Sequence, residues 1–220
     1  MHISAKLLLV AGMASTILGC ASHRALKPAE TMGGRIDGQG FAASFPQTTG
    51  WYVVKSTHDE TVFLKASEET AQRSPADAVV TASLGVRNLP AEELSRQSDA
   101  DFAAGVERFL AKRMGGPPAF YAGSSLLALV QLDTEPHRFH DAVCAKYEAL
   151  QIARNGAQLR EPELAFSDHG IVCRHPDDPG RLIQMFFNER SVRVMPRFAR
   201  PATWDEVTKA FESLRFTPDR

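Results

Sequence analysis

Gly170-Ile171-Val172-Cys173-Arg174-His175-Pro176-Asp177-Asp178-Pro179-Gly180-Arg181-Leu182-Ile183-Gln184-Met185-Phe186-Phe187 is the stretch on which the fold turns. Two apolar runs rich in β-branched and aromatic residues flank a segment whose prolines, aspartates and glycine favour reversal at almost every position. This reads as a β-hairpin. Working back from it, residues 153–169 are polar and contain glycine, so they read as a connection, while 141–152 and 126–133 read as strands. Working forward, residues 191–194 extend or break the sheet. Thr203-Trp204-Asp205-Glu206 then spells a capping box, and Val207, Ala210, Phe211 and Leu214 supply the stripe of a short closing helix.

The first half of the chain carries the same strand signals. Phe41-Ala42-Ala43-Ser44-Phe45 stops at Pro46 and reads as the opening strand. Trp51-Tyr52-Val53-Val54-Lys55 and Thr61-Val62-Phe63-Leu64-Lys65, separated by Thr57-His58-Asp59-Glu60, read as a second hairpin. A loop over 67–77 leads to a strand over 78–86. The first helix follows: Pro90, Glu92 and Glu93 suit a preliminary turn, and Ser98 with Asp101 resembles a capping box. Phe102, Val106, Phe109 and Leu110 recur on one face, and Gly115-Gly116-Pro117-Pro118 ends the helix. One apolar stripe means one buried face, so this helix covers a sheet. Residues 115–125, with Phe120 and Tyr121, form either a loop at a binding edge or aromatics tucked against the sheet rim.

The resulting order is four strands, a helix, about four strands and a last helix, which implies an α+β domain: an antiparallel sheet with helices packed on it. In layout this resembles the PsbP-like and Mog-type family of α/β/α sandwiches. The residues that carry the resemblance are the opening strand closed by Phe45-Pro46, Trp51 shortly after, and the ending Phe211-Glu212-Ser213-Leu214-Arg215-Phe216. It extends over about residues 40–217 and implies a non-catalytic binding scaffold, with no site residues carried over.

Ahead of the domain, His2 and Lys6 precede residues 7–18, which carry no charge, and small residues then lead to Cys20. Spanning a bilayer takes about 20 apolar residues, so this run is too short to cross one. Gly12, Ser15 and Thr16 also suit a helix interior poorly. The order is that of an export signal, and Ile17-Leu18-Gly19-Cys20 resembles the lipobox of bacterial lipoproteins, whose cysteine takes a diacylglycerol and becomes the new N-terminus. The resemblance implies lipidation at Cys20, with palmitate-type acyl chains as the anchor to the bilayer; each buried methylene contributes ~0.8 kcal/mol. The expected organisation is a signal peptide over 1–19, a lipidated cysteine and flexible tether over 20–36, and a single α/β domain over 37–220. Ala21 after the cysteine resembles lipoproteins sent to the outer membrane, so the expected location is the cell membrane or outer membrane, facing the periplasm.

Export bears on the other two of the three cysteines. With Cys20 acylated, Cys144 and Cys173 remain as an even pair and are expected to bridge in an oxidising space. A competing possibility is a metal site drawn from His137, His140, Asp141, Cys144, Cys173 and His175, since a strand puts His140 and Cys144 on one face and Cys173 and His175 on one face. Neither cysteine belongs to a Cys-x-x-Cys pair, and the disulfide is the expected state.

Composition narrows the function classes. Hydrophobic residues make up 44% and charged residues 23%, as in ordinary globular domains, and removing Lys6 with the leader takes the formal charge from −1 to −2. That balance does not favour nucleic acid as a partner. Gly123-Ser124-Ser125 lacks the second glycine of a nucleophile elbow, Glu92-Glu93 and Asp177-Asp178 do not form acid–base pairs, and Gly33-Gly34 and Gly38-Gln39-Gly40 match no phosphate loop. No cofactor is therefore expected. Arg190, Arg193, Arg197 and Arg200 could lie on anionic lipid or an acidic polymer, or simply blunt a solvated strand edge. The expected function is a membrane-anchored binding or accessory domain without catalysis, acting on an envelope protein or polymer. The alternatives are an envelope enzyme using a metal or polar pocket near His140, Cys144 and Cys173, and a structural tie between membrane and cell wall.

Overall fold

A computed structural model describes residues 26–66, 82–90, 92–114, 126–154, 163–192 and 201–218. The hairpin forms as expected: β9 (Glu163–Arg174) and β10 (Leu182–Val192) pair antiparallel, with Arg174 opposite Leu182. The His175 amide donates to the Arg181 carbonyl at 2.9 Å, and the Arg181 amide donates to that of Asp178 at 2.8 Å, closing the reversal.

Around this hairpin lies an eight-stranded sheet. Its other members are β1 (Lys27–Pro28), β4 (Trp51–Ser56), β5 (Glu60–Lys65), β6 (Ala82–Leu89), β7 (Leu126–Phe139) and β8 (Ala142–Arg154), in the order β1-β4-β5-β6-β10-β9-β8-β7 with every pair antiparallel. A small second sheet joins β2 (Arg35–Gly38), β3 (Phe41–Ser44) and β11 (Arg215–Phe216) in the order β11-β3-β2. Helices α1 (Glu92–Ser95) and α2 (Phe102–Met114) pack on one face of the large sheet, through Leu94, Phe102, Val106 and Leu110 against Ala145, Val172 and Leu182. Helix α3 (Pro201–Glu212) and the small sheet cover the other face, through Val207, Ala210, Phe41 and Ala43 against Leu84, Ile171, Ile183 and Phe187. Both faces of β10 are thus covered, which is why Leu182 to Phe187 reads as a nearly continuous apolar run with all six side chains buried. The expected α+β class, an antiparallel sheet with helices packed on it, is what the chain adopts.

The central glycines admit aromatic rings rather than turns. Tyr147 on β8 pairs with Gly170 on β9, and a Cβ at position 170 would stand 2.5 Å from the Tyr147 ring. Gly85 on β6 does the same for Phe186 opposite it, where the separation would be 2.6 Å. A missing side chain on one strand makes room for a large ring on the next.

Several boundaries differ from those the sequence implies. The expected tether does not last to residue 36: Lys27–Pro28 pairs with β4, Ala29 is 1% exposed, and Ile36 enters the core. These short elements have no period of their own and are held by partners distant in the chain. The expected connection over 153–169 is shorter, because β9 begins at Glu163 and pairs with β8 and β10. Its polar residues Ser167, Asp168 and His169 are strand residues held between two neighbouring strands. Strand β7 runs on through Pro136 to Phe139, which an edge position tolerates because a missing N–H costs nothing there. Helix α3 starts at Pro201, ahead of Thr203, so Thr203-Trp204-Asp205-Glu206 lies inside the helix; Pro suits a first helical position. At α2, Ser98 accepts the Asp101 amide at 3.2 Å, but the Asp101 carbonyl receives the first helical bond from Gly105, so the Ser98 turn precedes the cap.

Residues 1–25, including Cys20, lie outside the described residues, as do 67–81, 115–125 and 193–200 with Arg193, Arg197 and Arg200. Among the described residues no helix is long and apolar enough to cross a membrane.

Candidate functional site

A helix is about 10 Å across and sheet strands lie about 4.8 Å apart, so one helix covers roughly two strands. Helix α3 rests on β9 and β10, where Trp204 meets His169 edge-on at 5.0 Å between ring centroids and Phe187 at 5.2 Å. Among the described residues, nothing covers the β7–β8 wing of the same face at Asp133, Glu135, Lys146 and Glu148, all of them exposed. Between wing and helix runs a groove of about 1010 Å³. Phe139, Ile171, Phe187, Trp204, Val207 and Phe211 supply its apolar lining, and strand alternation brings Asp133, Glu135 and His137 of β7 and Lys146 and Glu148 of β8 to its rim. Thr208 and Glu212 of α3 complete the opposite wall.

The rim is predominantly acidic. Lys146 lies 3.7 Å from Glu135, and His169 lies 3.5 Å from Glu148. Burial, reinforced by the neighbouring Lys146 charge, lowers the His137 pKa despite the opposing effect of Glu135. Asp133 and Glu148 stand directly opposite each other in the β7–β8 register. Like charges so placed oppose sheet formation.

Cys144 and Cys173 are also opposite each other, on β8 and β9, with Cα atoms 4.1 Å apart and sulfurs at disulfide distance. Both are buried in the core cluster to which α3 and the small sheet contribute. The competing metal set does not come together. His175 is buried and uses both ring nitrogens: Nε2 lies 3.0 Å from the Thr217 carbonyl, and Nδ1 accepts the amides of Asp177 and Asp178 at 3.1 Å each. His140 sits at the β7–β8 reversal with φ of 52° and faces Arg215 Nη1 at 3.1 Å, a cationic neighbour unsuited to a metal. His137 lines the groove instead. Among the described residues no three His, Cys, Asp or Glu side chains stand close enough together to hold a metal ion. Gly123-Ser124-Ser125 and the 115–125 loop lie outside the described residues; Asp177 and Asp178 occupy the hairpin turn.

Two polar networks escaped sequence reasoning. On the α2 face, Gln184 donates to Tyr147 Oη at 2.6 Å, Tyr147 donates to Asp168 Oδ1 at 3.1 Å, and Arg87 donates to Gln184 Oε1 at 2.8 Å while lying 3.6 Å from Glu60. Burial pushes the Asp168 carboxyl up to about 7, against the opposing effects of the Tyr147 hydrogen bond and the Arg87 charge. On the α3 face, Glu206 accepts from Thr48 Oγ1 at 2.6 Å, Trp51 Nε1 at 2.8 Å and Lys65 Nζ at 3.0 Å. Burial tends to raise the Glu206 pKa, but these three hydrogen bonds and the Lys65 charge together leave it lowered. The members of the two networks are scattered from position 48 to 206, and the one local signal is a polar residue such as Gln184 inside an apolar run.

The two networks give opposite pH dependences. Glu206 contributes stability above its unfolded value of about 4.3, and this is lost as pH falls through the lower folded value. Asp168 has its pKa raised, so the folded state holds the extra proton between about pH 4 and 7, and stability falls as pH rises across that interval. Chemical denaturation from pH 3 to 9 should find greatest stability on the acid side of neutrality. Asp168→Asn should flatten the decline between pH 4 and 7, and Glu206→Gln should flatten the acid limb.

The fold and groove define a class: an α+β sandwich in which the described residues cover one face of the sheet only in part. No family model matches the chain, and no curated protein is significantly similar to it. Among solved structures it is similar to the Saccharomyces cerevisiae Ran-binding protein Mog1p, at 10% identity and a TM-score of 0.45, over 80% of this chain and 90% of that one. It is also similar to a point mutant of protein Mog1, at 11% identity and a TM-score of 0.46, over 83% of this chain and 94% of that one.

Proposed function

We propose that this chain is a lipid-anchored binding domain of the bacterial cell envelope, working without catalysis through the groove beside α3. The observation that carries the reading is the groove itself: an apolar floor rimmed by charged side chains, which the described residues leave open beside α3. The leader-like residues 1–19 ahead of Cys20 and a cysteine pair at disulfide distance are both consistent with an exported protein.

Address and site can be tested separately. Cys20→Ser should move the protein from the membrane fraction to the soluble fraction of its host; unchanged membrane partition would remove the anchor. A photoreactive amino acid at Thr208, on the groove wall, should give a discrete crosslinked product in intact cells. The same group at Arg108, on the exposed side of α2, should not. Equal crosslinking from both positions would discard the groove as the binding site.

A further inference from the structure

We infer that the groove takes an extended polypeptide segment in which lysine or arginine alternates with large apolar side chains. This rests on the reading of the groove as the binding site and adds the chemistry of its occupant. Length favours a polypeptide: the rim follows β7 from Asp133 to Phe139, about 20 Å at ~3.3 Å per residue, and about 1010 Å³ is at the upper limit for small-molecule pockets. An extended segment of about six residues spans that distance. Charge favours a basic one. Among the described lining residues the carboxylates of Asp133, Glu135, Glu148 and Glu212 face one lysine, Lys146, and no arginine.

The register adds an independent observation. Asp133 and Glu148 oppose each other on a strand pair where opposite charges would stabilise the sheet, and an incoming ammonium or guanidinium group between them converts repulsion into attraction. The apolar floor supplies seats for the alternate side chains. The outer edge of β7, unpaired among the described residues, is a poorer docking surface: Pro136 lacks a donor, and the register of its pairing with β8 shifts between Leu129 and Gln131. The segment therefore lies in the groove and does not extend the sheet.

The test uses the full chain in phosphatidylcholine nanodiscs and three fluorescein-labelled hexapeptides, Lys-Phe, Glu-Phe and Lys-Ser repeats, followed by fluorescence anisotropy. The Lys-Phe peptide should bind at least about tenfold more tightly than either of the others, the step expected from a few ion pairs and apolar seats together. Asp133→Lys with Glu148→Lys, both exposed positions, should reverse the order of the Lys-Phe and Glu-Phe peptides. Equal affinity for these two peptides, or an order unchanged by charge reversal, overturns the inference. So does preferential binding of dodecanoate at the same site, which would make the occupant a lipid chain, or a homodimer crosslinked through Thr208, which would make it a second copy. Crosslinking of a cellular partner at Thr208 without Lys-Phe preference would refute the occupant's chemistry and leave the groove as the site. Failure of both would refute the two together.

Discussion

Gly170→Ala should destabilise the protein by about 3 kcal/mol, a loss that urea denaturation can measure directly. In most strand positions the change would be mildly favourable, by about 0.5–1 kcal/mol, because alanine gives up less backbone entropy on folding than glycine does. Here the new methyl would stand 2.5 Å from the buried Tyr147 ring. The ring cannot swing away cheaply, since its hydroxyl is fixed between Gln184 and Asp168. Relief by ring displacement would break both hydrogen bonds and leave buried polar atoms unpaired, which is why the clash outweighs the entropic gain. Gly170→Ala combined with Tyr147→Ala should be much less destabilised than the two single losses added together. Strict additivity in that double-mutant cycle would show that the ring and the glycine are not coupled.

Loss of the Cys144–Cys173 link should cost a similar amount, ~3–4 kcal/mol, because the bridge closes a loop of nearly thirty residues in the unfolded chain. For a domain of this size that is a fall in Tm of roughly 10 °C on reduction. Cys144→Ala with Cys173→Ala should reproduce the fall and make it independent of reductant. Both cysteines are buried in the core, so reduction should be slow until the domain opens. Thiol titration of unfolded, unreduced protein purified from its host should find no free sulfhydryl at these two positions; two titratable thiols would exclude the bridge.

Local chemistry made much of the fold legible. The reversal from His175 to Gly180 and the strands on either side follow from turn residues beside β-branched and aromatic runs, and Phe102, Val106 and Leu110 mark the buried face of α2 by spacing alone. Where the sequence misled, polar composition was the cause. Ser167, Asp168 and His169 look like a loop, yet their strand is held on both sides by β8 and β10. The Thr203-Trp204-Asp205-Glu206 motif has the spelling of a helix start, but Pro201 opens the helix and Glu206 turns its carboxylate to Trp51 and Lys65 on other strands. The groove was wholly illegible. His137 and His140 are close in sequence, as metal ligands often are, yet one faces the groove and the other Arg215.

Periodicity and turn chemistry act over a few residues, so the chain by itself determined its class, its main hairpins, the faces of its helices, and a cysteine pair able to meet. What faces what across the sandwich depends on strand order and register, quantities fixed only when segments far apart in the chain pack together. That is why tertiary structure alone decided that β7 and β8 extend beyond the reach of α3, that two carboxylates oppose each other there, and that Tyr147 needs a glycine for its neighbour.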